Sequence, residues 1–142
     1  MKQILYFDDE RWQAEPLVKN LQTSRKYYIK LVSTIKDFFL ELESRNTYDL
    51  FILDVMIPMD LFDEKNLNKL SGSQRRDLNN GLDTGIVLFK LIRQSEKYKT
   101  VPVLFYTAKK SVSVNDQNIK FISKPEFPTN IETEINKLLT LK

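Results

Sequence analysis

The sequence predicts an α/β protein with a doubly wound, five-stranded parallel sheet and helices on both faces. Five short apolar runs alternate with segments in which apolar residues recur at helical spacing. The runs are nearly continuous in apolar residues, as expected for strands that are buried on both faces. Right-handed crossovers then bring the carboxyl ends of all five strands to one edge of the sheet, where folds of this class bind ligands.

Three strands and two helices are predicted in the first part of the chain. The strands are residues 3–8, 28–32 and 49–54, and the helices between them are residues 11–24 and 34–46. Apolar residues at near-helical spacing indicate the first helix, and Pro16 is expected to kink its early turns. Thr34 is suited to cap the second helix, because its hydroxyl can accept a hydrogen bond from an N–H of the first turn.

The regular alternation stops after Pro58 and resumes near Thr84. Residues 59–83 carry mixed charge with few apolar positions, and only residues 61–70 favour a short helix. Turns are indicated at Gly72, Asn79, Asn80 and Gly81. A segment of this length without regular structure is uncommon in a compact domain and is usually functional or mobile.

Two further strands and two helices complete the prediction. Thr84 is expected to cap an amphipathic helix that ends near Tyr98, followed by strands over 101–106 and 119–123 and a helix over 128–141. Only 11 residues separate Thr107 from Ile119, which is the lower limit for a crossover between parallel strands. Because this segment is also a poor helix former, the helix between these strands is expected to be about one turn long or lost.

The composition limits the function classes that need to be considered. The 142 residues, 42% hydrophobic and 29% charged, fit one globular domain without a membrane span or a secretory signal. The chain contains no histidine and no cysteine, which excludes an imidazole base, a histidine metal ligand and thiol chemistry. The net charge of +3 comes from scattered basic residues, so direct nucleic-acid binding is not favoured.

Polar side chains at the strand ends are the strongest functional signal. Asp54 ends the apolar run 48–53, and Asp8 and Asp9 end the run 4–7. A lone aspartate at a strand end is more often a helix cap or a turn residue. Carboxylates at the tips of two buried strands are costly, however, unless their charge is used, and they indicate a shared polar pocket. Four of the five strands end in a residue suited to act on a phosphoryl group: Asp8 and Asp9, Asp54, Thr107 and Lys124.

Four short motifs, each at a strand end, together resemble the receiver domain of bacterial two-component response regulators. They are Ile-Leu-Tyr-Phe-Asp-Asp-Glu at 4–10, Leu-Asp-Val-Met-Ile-Pro at 53–58, Phe-Tyr-Thr-Ala at 105–108 and Ser-Lys-Pro at 123–125. Each motif alone is weak, but their order and spacing extend over nearly the whole chain. The resemblance implies a flavodoxin-like sheet of strand order 2-1-3-4-5, a single receiver domain over 1–142 with an insertion at 59–83, and a cytoplasmic location.

The resemblance also implies a chemistry for the strand-end residues. Asp54 would be the phosphoacceptor, attacking a phosphohistidine on a histidine kinase or a histidine phosphotransfer protein. Mg²⁺ would be held by Asp9, Asp54 and the backbone carbonyl of Met56, and by Asp8 through water, since few protein ligands suit a small hard cation. Lys124 would pair with a phosphoryl oxygen.

A conformational switch would follow from the phosphorylation. Thr107 would donate its hydroxyl to a phosphoryl oxygen, and Phe121, at the family's switch aromatic position, would turn inward into the vacated space. Met56 and Lys109 flank the pocket and are candidates for tuning hydrolysis. The change would alter contacts with a downstream protein target. Apart from self-phosphorylation and slow autodephosphorylation, no enzymatic activity is expected, and neither nucleic acid nor membrane is an expected partner.

Several alternatives stay open at the level of sequence. A pseudo-receiver would use the same fold as a protein-binding module that is never phosphorylated. A metal-dependent phosphatase with an aspartyl nucleophile is disfavoured, because Met56 stands where such enzymes carry a second acid. The insertion is either a lid over the pocket or a tolerated surface segment. Since the chain ends shortly after the last helix, a stand-alone receiver is expected; a fragment of a longer regulator stays open, and the oligomeric state is not predicted.

Overall fold

The structure, a computed structural model, describes residues 1–57, 62–79, 83–109, 114 and 116–140. These residues form five strands, which we name β1 (Lys2–Phe7), β2 (Tyr27–Val32), β3 (Leu50–Leu53), β4 (Val103–Thr107) and β5 (Ile119–Ser123). They also form six helices, α1 (Arg11–Gln22), α2 (Ile35–Glu43), α3 (Glu64–Leu67), α4 (Gly72–Asn79), α5 (Thr84–Gln94) and α6 (Pro128–Thr140). The strands make one parallel sheet of order β2-β1-β3-β4-β5, which confirms the predicted topology.

Helices cover both faces of the sheet, as predicted. Because side chains alternate along a strand, neighbouring residues of β1 enter different apolar clusters. Leu5 and Phe7 belong to the cluster formed with α2 and α5, whereas Ile4 and Tyr6 belong to the cluster formed with α1 and α6. Residues of β3 are buried throughout, which explains why this strand is continuously apolar. Among the described residues no helix is long and apolar enough to cross a membrane.

Helix α2 begins where the sequence predicts and ends earlier. The hydroxyl of Thr34 accepts a hydrogen bond from the N–H of Asp37 at 3.1 Å, which is the predicted cap. The helix ends at Glu43 rather than Asn46, because Ser44 already has extended backbone angles. The first helix likewise ends at Gln22 rather than at residue 24.

Helix α5 differs from its prediction at both ends. Asp83, not Thr84, occupies the position before the helix, and Thr84 is a buried first residue. The helix ends at Gln94 because Ser95 leaves helical geometry. Tyr98, which was predicted as the end of the helix, instead lies fully buried in edge-to-face contact with Phe51, with ring centroids 4.9 Å apart.

The insertion contains a helix that the sequence reasoning did not predict. Gly72 and Asn79, which were interpreted as turn positions, begin and end α4. Its start is fixed by Ser71 and Gln74, which bond reciprocally: the N–H of Ser71 donates to Oε1 of Gln74 at 2.7 Å, and the N–H of Gln74 donates to Oγ of Ser71 at 3.2 Å. This is a capping box. The helix predicted over 61–70 is present only as the single turn of α3.

Apolar side chains of the described part of the insertion reach the core, although most of its residues are exposed. Phe62, Leu70 and Leu78 are buried in the cluster of α2 and α5. Polar contacts run along the outer sides of the same two helices, between Lys69 and Glu43 at 3.3 Å, Lys90 and Asp77 at 3.2 Å, and Gln74 and Gln94 at 2.7 Å. Residues 58–61 and 80–82 lie outside the described residues, so the lid hypothesis stays a prediction.

Arg93 fixes the short crossover between β4 and β5. Its guanidinium donates to the carbonyl of Val101 at 2.6 Å and pairs with the carboxylate of Asp116 at 2.9 Å, and it lies 4.8 Å from the ring centroid of Phe89. Burial would raise the pKa of Asp116, but the hydrogen bond and charge of Arg93, together with the N–H groups of Asn118 and Gln117, outweigh it and lower that pKa. None of the described residues between β4 and β5 is helical, in line with the predicted loss, and residues 110–113 and 115 lie outside them.

Replacement of Arg93 with Met is expected to lower the free energy of unfolding by about 2–3 kcal/mol, because Asp116 and several carbonyls lose a shared donor. The exposed pair between Arg11 and Glu15 provides the control, and Arg11→Met should cost less than about 0.5 kcal/mol. Urea unfolding of the three proteins measures both effects. Equal midpoints for the two variants would show that Arg93 does not hold the crossover.

Candidate functional site

Three carboxylates converge at the carboxyl edge of the sheet. Asp8, Asp9 and Asp54 each offer an oxygen, and these oxygens lie within 4.8 Å of one another. The sheet register explains the meeting, because Phe7 pairs with Leu53 and the next residues of both strands are the aspartates. The N–H of Asp54 also donates to the carbonyl of Phe7 at 3.2 Å. The pocket predicted from the strand ends is therefore present.

Lys124 binds two of these carboxylates. Its Nζ donates to Oδ2 of Asp8 at 2.6 Å and to Oδ2 of Asp54 at 3.1 Å, and its side chain is 17% exposed. The Lys124 N–H donates to the carbonyl of Thr107 at 2.8 Å, which keeps the end of β5 beside β4. Burial would lower the pKa of Lys124, but the hydrogen bond to Asp8 and the charge of Asp54 outweigh it and raise the pKa. Lys124 is therefore a firmly protonated ion-pair partner.

The site keeps an excess of negative charge after this pairing. Burial, followed by the charges of Asp8 and Asp54, raises the pKa of Asp9. Asp8 and Asp54 are occupied alike: Oδ1 of each accepts a main-chain N–H at 2.9 Å, from Glu10 and Met56 respectively, and Oδ2 of each binds Lys124. Hard carboxylate oxygens at this spacing fit a small divalent cation such as Mg²⁺. That Asp9 and Asp54 contact the cation directly, with Asp8 acting through water, stays a prediction.

Met56 contacts Asp54 through its main chain, and Thr107 ends the neighbouring strand β4. The N–H of Met56 donates to Oδ1 of Asp54 at 2.9 Å, while the Met56 side chain is exposed. Thr107 is fully buried, and its hydroxyl oxygen accepts the N–H of Lys109 at 3.3 Å. Metal binding by the Met56 carbonyl stays a prediction. Phe121 pairs with Phe105 in the sheet and is partly buried against the cluster of α2 and α5, so its switch role also stays a prediction.

Gly85 is a site residue that the sequence reasoning missed. Its N–H donates to the carbonyl of Val55 at 3.2 Å, so the first turn of α5 rests against the main chain of the site. A Cβ at this position would lie 2.2 Å from the carbonyl oxygen of Asp54 and 2.5 Å from Cα of Val55. The only signal in the sequence is a glycine within the first turn of an amphipathic helix, which often marks a close backbone approach.

Two tyrosines of the cluster of α1 and α6 border the site, Tyr6 beside Asp8 and Tyr106 beside Lys124. Burial, followed by the charge of Asp8, raises the pKa of Tyr6, so its phenol stays a donor; its contact to Asp8 is long, at 3.5 Å. The ring centroid of Tyr106 lies 5.4 Å from Nζ of Lys124, and its hydroxyl accepts the N–H of Glu126 at 3.2 Å. The rings and Trp12 line a groove of about 670 Å³ that reaches Asp8 and Lys124.

No family model matches the sequence, and no curated protein matches it. Solved structures are similar over essentially the full chain. A putative response regulator from Chloroflexus aurantiacus J-10-fl is 20% identical, with a TM-score of 0.68, and the match covers 99% of this chain and 98% of that one. The HemR receiver domain from Leptospira biflexa is 19% identical, with a TM-score of 0.65 and 100% and 97% of the chains covered.

A third similar structure is the response regulator TrrA from Thermotoga maritima in complex with Mg²⁺–BeF. It is 22% identical, has a TM-score of 0.67, and the match covers 97% of this chain and 99% of that one. Together with the observed strand order, these similarities establish that the chain has the fold of response-regulator receiver domains. They confirm the resemblance that the four strand-end motifs indicated.

Proposed function

We propose that this chain is a response-regulator receiver that accepts a phosphoryl group on Asp54 in the presence of Mg²⁺. The observation that supports this most is the meeting of three carboxylates with the Lys124 ammonium at the carboxyl edge of a receiver fold. Structural ion-pair networks also group charges, but one lysine leaves the three carboxylates with an excess of negative charge that a divalent cation would balance.

The transfer is a displacement at phosphorus. A carboxylate oxygen of Asp54 attacks the phosphorus, the bond from phosphorus to the donor imidazole nitrogen breaks, and its electron pair leaves with that nitrogen. Mg²⁺ bound by Asp9 and Asp54, with Asp8 acting through water and Met56 through its carbonyl, would draw charge from the transferring group. The N–H of Met56 holds Oδ1 of Asp54 and so orients the carboxylate.

The conformational switch follows because Lys124 and Thr107 change their hydrogen-bond partners when Asp54 is phosphorylated. Lys124 leaves Oδ2 of Asp54 to pair with a phosphoryl oxygen. The hydroxyl oxygen of Thr107 accepts the N–H of Lys109, so its proton is the part available for a second phosphoryl oxygen. Movement of Thr107 then opens space for Phe121 to turn inward. A differential stabilisation of about 5 kcal/mol is enough to reverse a two-state population.

The partners are other proteins. Because these 142 residues contain no histidine, the phosphohistidine donor lies outside them, on a histidine kinase or a histidine phosphotransfer protein. The receiver domain of the hybrid histidine kinase CckA, which has a TM-score of 0.63 to this chain, supports this class of donor. We propose that the phosphorylated form binds a downstream protein in the cytoplasm, with neither nucleic acid nor membrane as a direct partner and no enzymatic turnover beyond slow self-dephosphorylation.

Acetyl phosphate with Mg²⁺, followed by intact mass spectrometry, tests the proposal. The expected result is the gain of one phosphoryl group, which a chelator of divalent cations prevents. A protein that gains no phosphoryl group at any donor concentration would instead be a pseudo-receiver, a binding module with the same fold.

Binding of Mg²⁺ is expected to weaken as the pH falls through the raised pKa of Asp9. A protonated Asp9 cannot bind the cation, so binding has to release this proton, and the loss begins at a higher pH than for an ordinary aspartate. Trp12, the single tryptophan, lines the groove with Asp8 and Lys124, so its emission during Mg²⁺ titrations at several pH values measures the affinity. An affinity that is independent of pH down to the usual range of aspartate would contradict this role of Asp9.

A further inference from the structure

Asp83 occupies the N-cap position of α5, but its carboxylate pairs with a lysine from another part of the chain. Within the described part of the chain it makes no side-chain capping bond to α5, and it pairs instead with Nζ of Lys109. An aspartate at this position ordinarily accepts an N–H from the first turn, which stabilises a helix by about 1 kcal/mol. The carboxylate is therefore held by a partner from the loop after β4.

Both members of this pair are close in the chain to residues beside the proposed phosphorylation site. Gly85 follows Asp83 by two residues. The N–H of Gly85 donates to the carbonyl of Val55, the residue after Asp54. Lys109 follows Thr107 by two residues, and its N–H binds the Thr107 hydroxyl. The pair therefore joins the start of α5, which rests on the carbonyl of Val55, to the loop after β4, and β3 and β4 are neighbours in the sheet.

We propose that Asp83 is a positioning residue that holds the Lys109 ammonium away from Asp54 and thereby weakens the attraction of the site for anionic phosphodonors. This inference rests on the proposed function and deepens it. Lys109 has two possible anionic partners, the Asp83 carboxylate and phosphoryl oxygens. Asp83 in turn has two possible partners, the Lys109 ammonium and the N–H groups of α5. Because Asp83 and Lys109 are 31% and 40% exposed, their pair is weak enough for a phosphoryl group to compete.

The variant Asp83→Asn isolates this effect. Asparagine caps helices as well as aspartate does, so the fold is kept while the charge that holds Lys109 is removed. The concentration of acetyl phosphate that gives half the maximal phosphorylation rate is expected to fall about threefold. A change of this size corresponds to the free energy that one exposed ion pair contributes. The difference should shrink at high salt. Asp83→Glu keeps the charge and is expected to restore the behaviour of the unmodified chain.

The pair between Asp77 and Lys90 provides a matched control. It joins α4 to α5, its members are 30% and 47% exposed, and Asp77→Asn changes the net charge by the same amount as Asp83→Asn. Asp77→Asn should leave the half-saturating donor concentration unchanged. The double variant with Asp83→Asn and Lys109→Met should match Lys109→Met alone, because Asp83 acts through Lys109.

The outcomes separate the inference from the proposed function. Equal donor responses for Asp83→Asn and Asp77→Asn would overturn the positioning role, as would a full effect of Asp83→Asn in the Lys109→Met background. If neither the unmodified chain nor any variant gains a phosphoryl group, the proposed function fails and this inference fails with it. A threefold effect that requires Lys109 supports both.

Discussion

Replacement of Asp54 with Asn is expected to abolish phosphorylation by acetyl phosphate, with a loss in rate of at least about 10³-fold, the scale seen when a nucleophile is removed. An amide oxygen is a poor nucleophile and a weaker ligand for a divalent cation, so both the rate of attack on phosphorus and the affinity for the cation are lowered. The side chain keeps its shape, and its oxygen can still accept the N–H of Met56, which binds Asp54 at 2.9 Å in this structure. Intact mass after incubation with donor and Mg²⁺ measures the loss.

Asp49 provides a matched control at the other end of the same strand. It precedes β3, whereas Asp54 follows it, and its Oδ2 accepts the N–H of Gln3 at 2.8 Å at the opposite edge of the sheet. Asp49→Asn should therefore be phosphorylated like the unmodified chain. Phosphorylation of Asp54→Asn at an undiminished rate would assign the acceptor to another carboxylate, with Asp8 and Asp9 as the nearest candidates.

The sheet and its acidic edge were predictable because they depend on information that is local in the sequence. Strands buried on both faces have to be continuously apolar, and parallel crossovers place their carboxyl ends together. The meeting of Asp8, Asp9 and Asp54 in one pocket could therefore be predicted from their positions in the sequence alone. Lys124 and Thr107 followed from the same reasoning, since each lies at the end of its strand.

The features that were missed depend on contacts that the sequence pattern does not display. Helix α4 lies in a polar segment with few apolar residues, and its start depends on the reciprocal bonds of Ser71 and Gln74. The Ser-x-x-Gln pattern of this capping box is present in the sequence, but it was not recognised, and Gly72 was interpreted as a turn. The pairing of Lys109 with Asp83 joins residues that are distant in the chain. No periodicity predicts such a pair.

The role of Gly85 was missed for a related reason, because it depends on the approach of α5 to the carboxyl end of β3. A glycine in an amphipathic helix ordinarily costs up to about 1 kcal/mol relative to alanine. Here the absence of a side chain allows the helix to reach the main chain of Asp54 and Val55. The position of the proposed nucleophile therefore depends on a residue that carries no chemistry of its own.

Replacement of Gly85 with Ala is accordingly expected to lower the free energy of unfolding by at least about 2 kcal/mol, because the new methyl group overlaps backbone atoms that cannot turn away. The matched control is Gly72→Ala, whose Cβ would lie 3.6 Å from a terminal nitrogen of Arg76, an ordinary contact. This variant should be neutral or stabilised by up to about 1 kcal/mol. Urea unfolding of both variants gives the comparison.

The same change at Gly85 should slow phosphorylation of the protein that remains folded. Displacing the reacting group by about 1 Å costs on the order of 100-fold in rate, and the carbonyl of Asp54 has to move to admit the methyl group. Measuring the rate with acetyl phosphate at low temperature, where Gly85→Ala is still folded, separates this effect from unfolding. A folded Gly85→Ala protein with the rate of the unmodified chain would show that α5 does not set the position of Asp54.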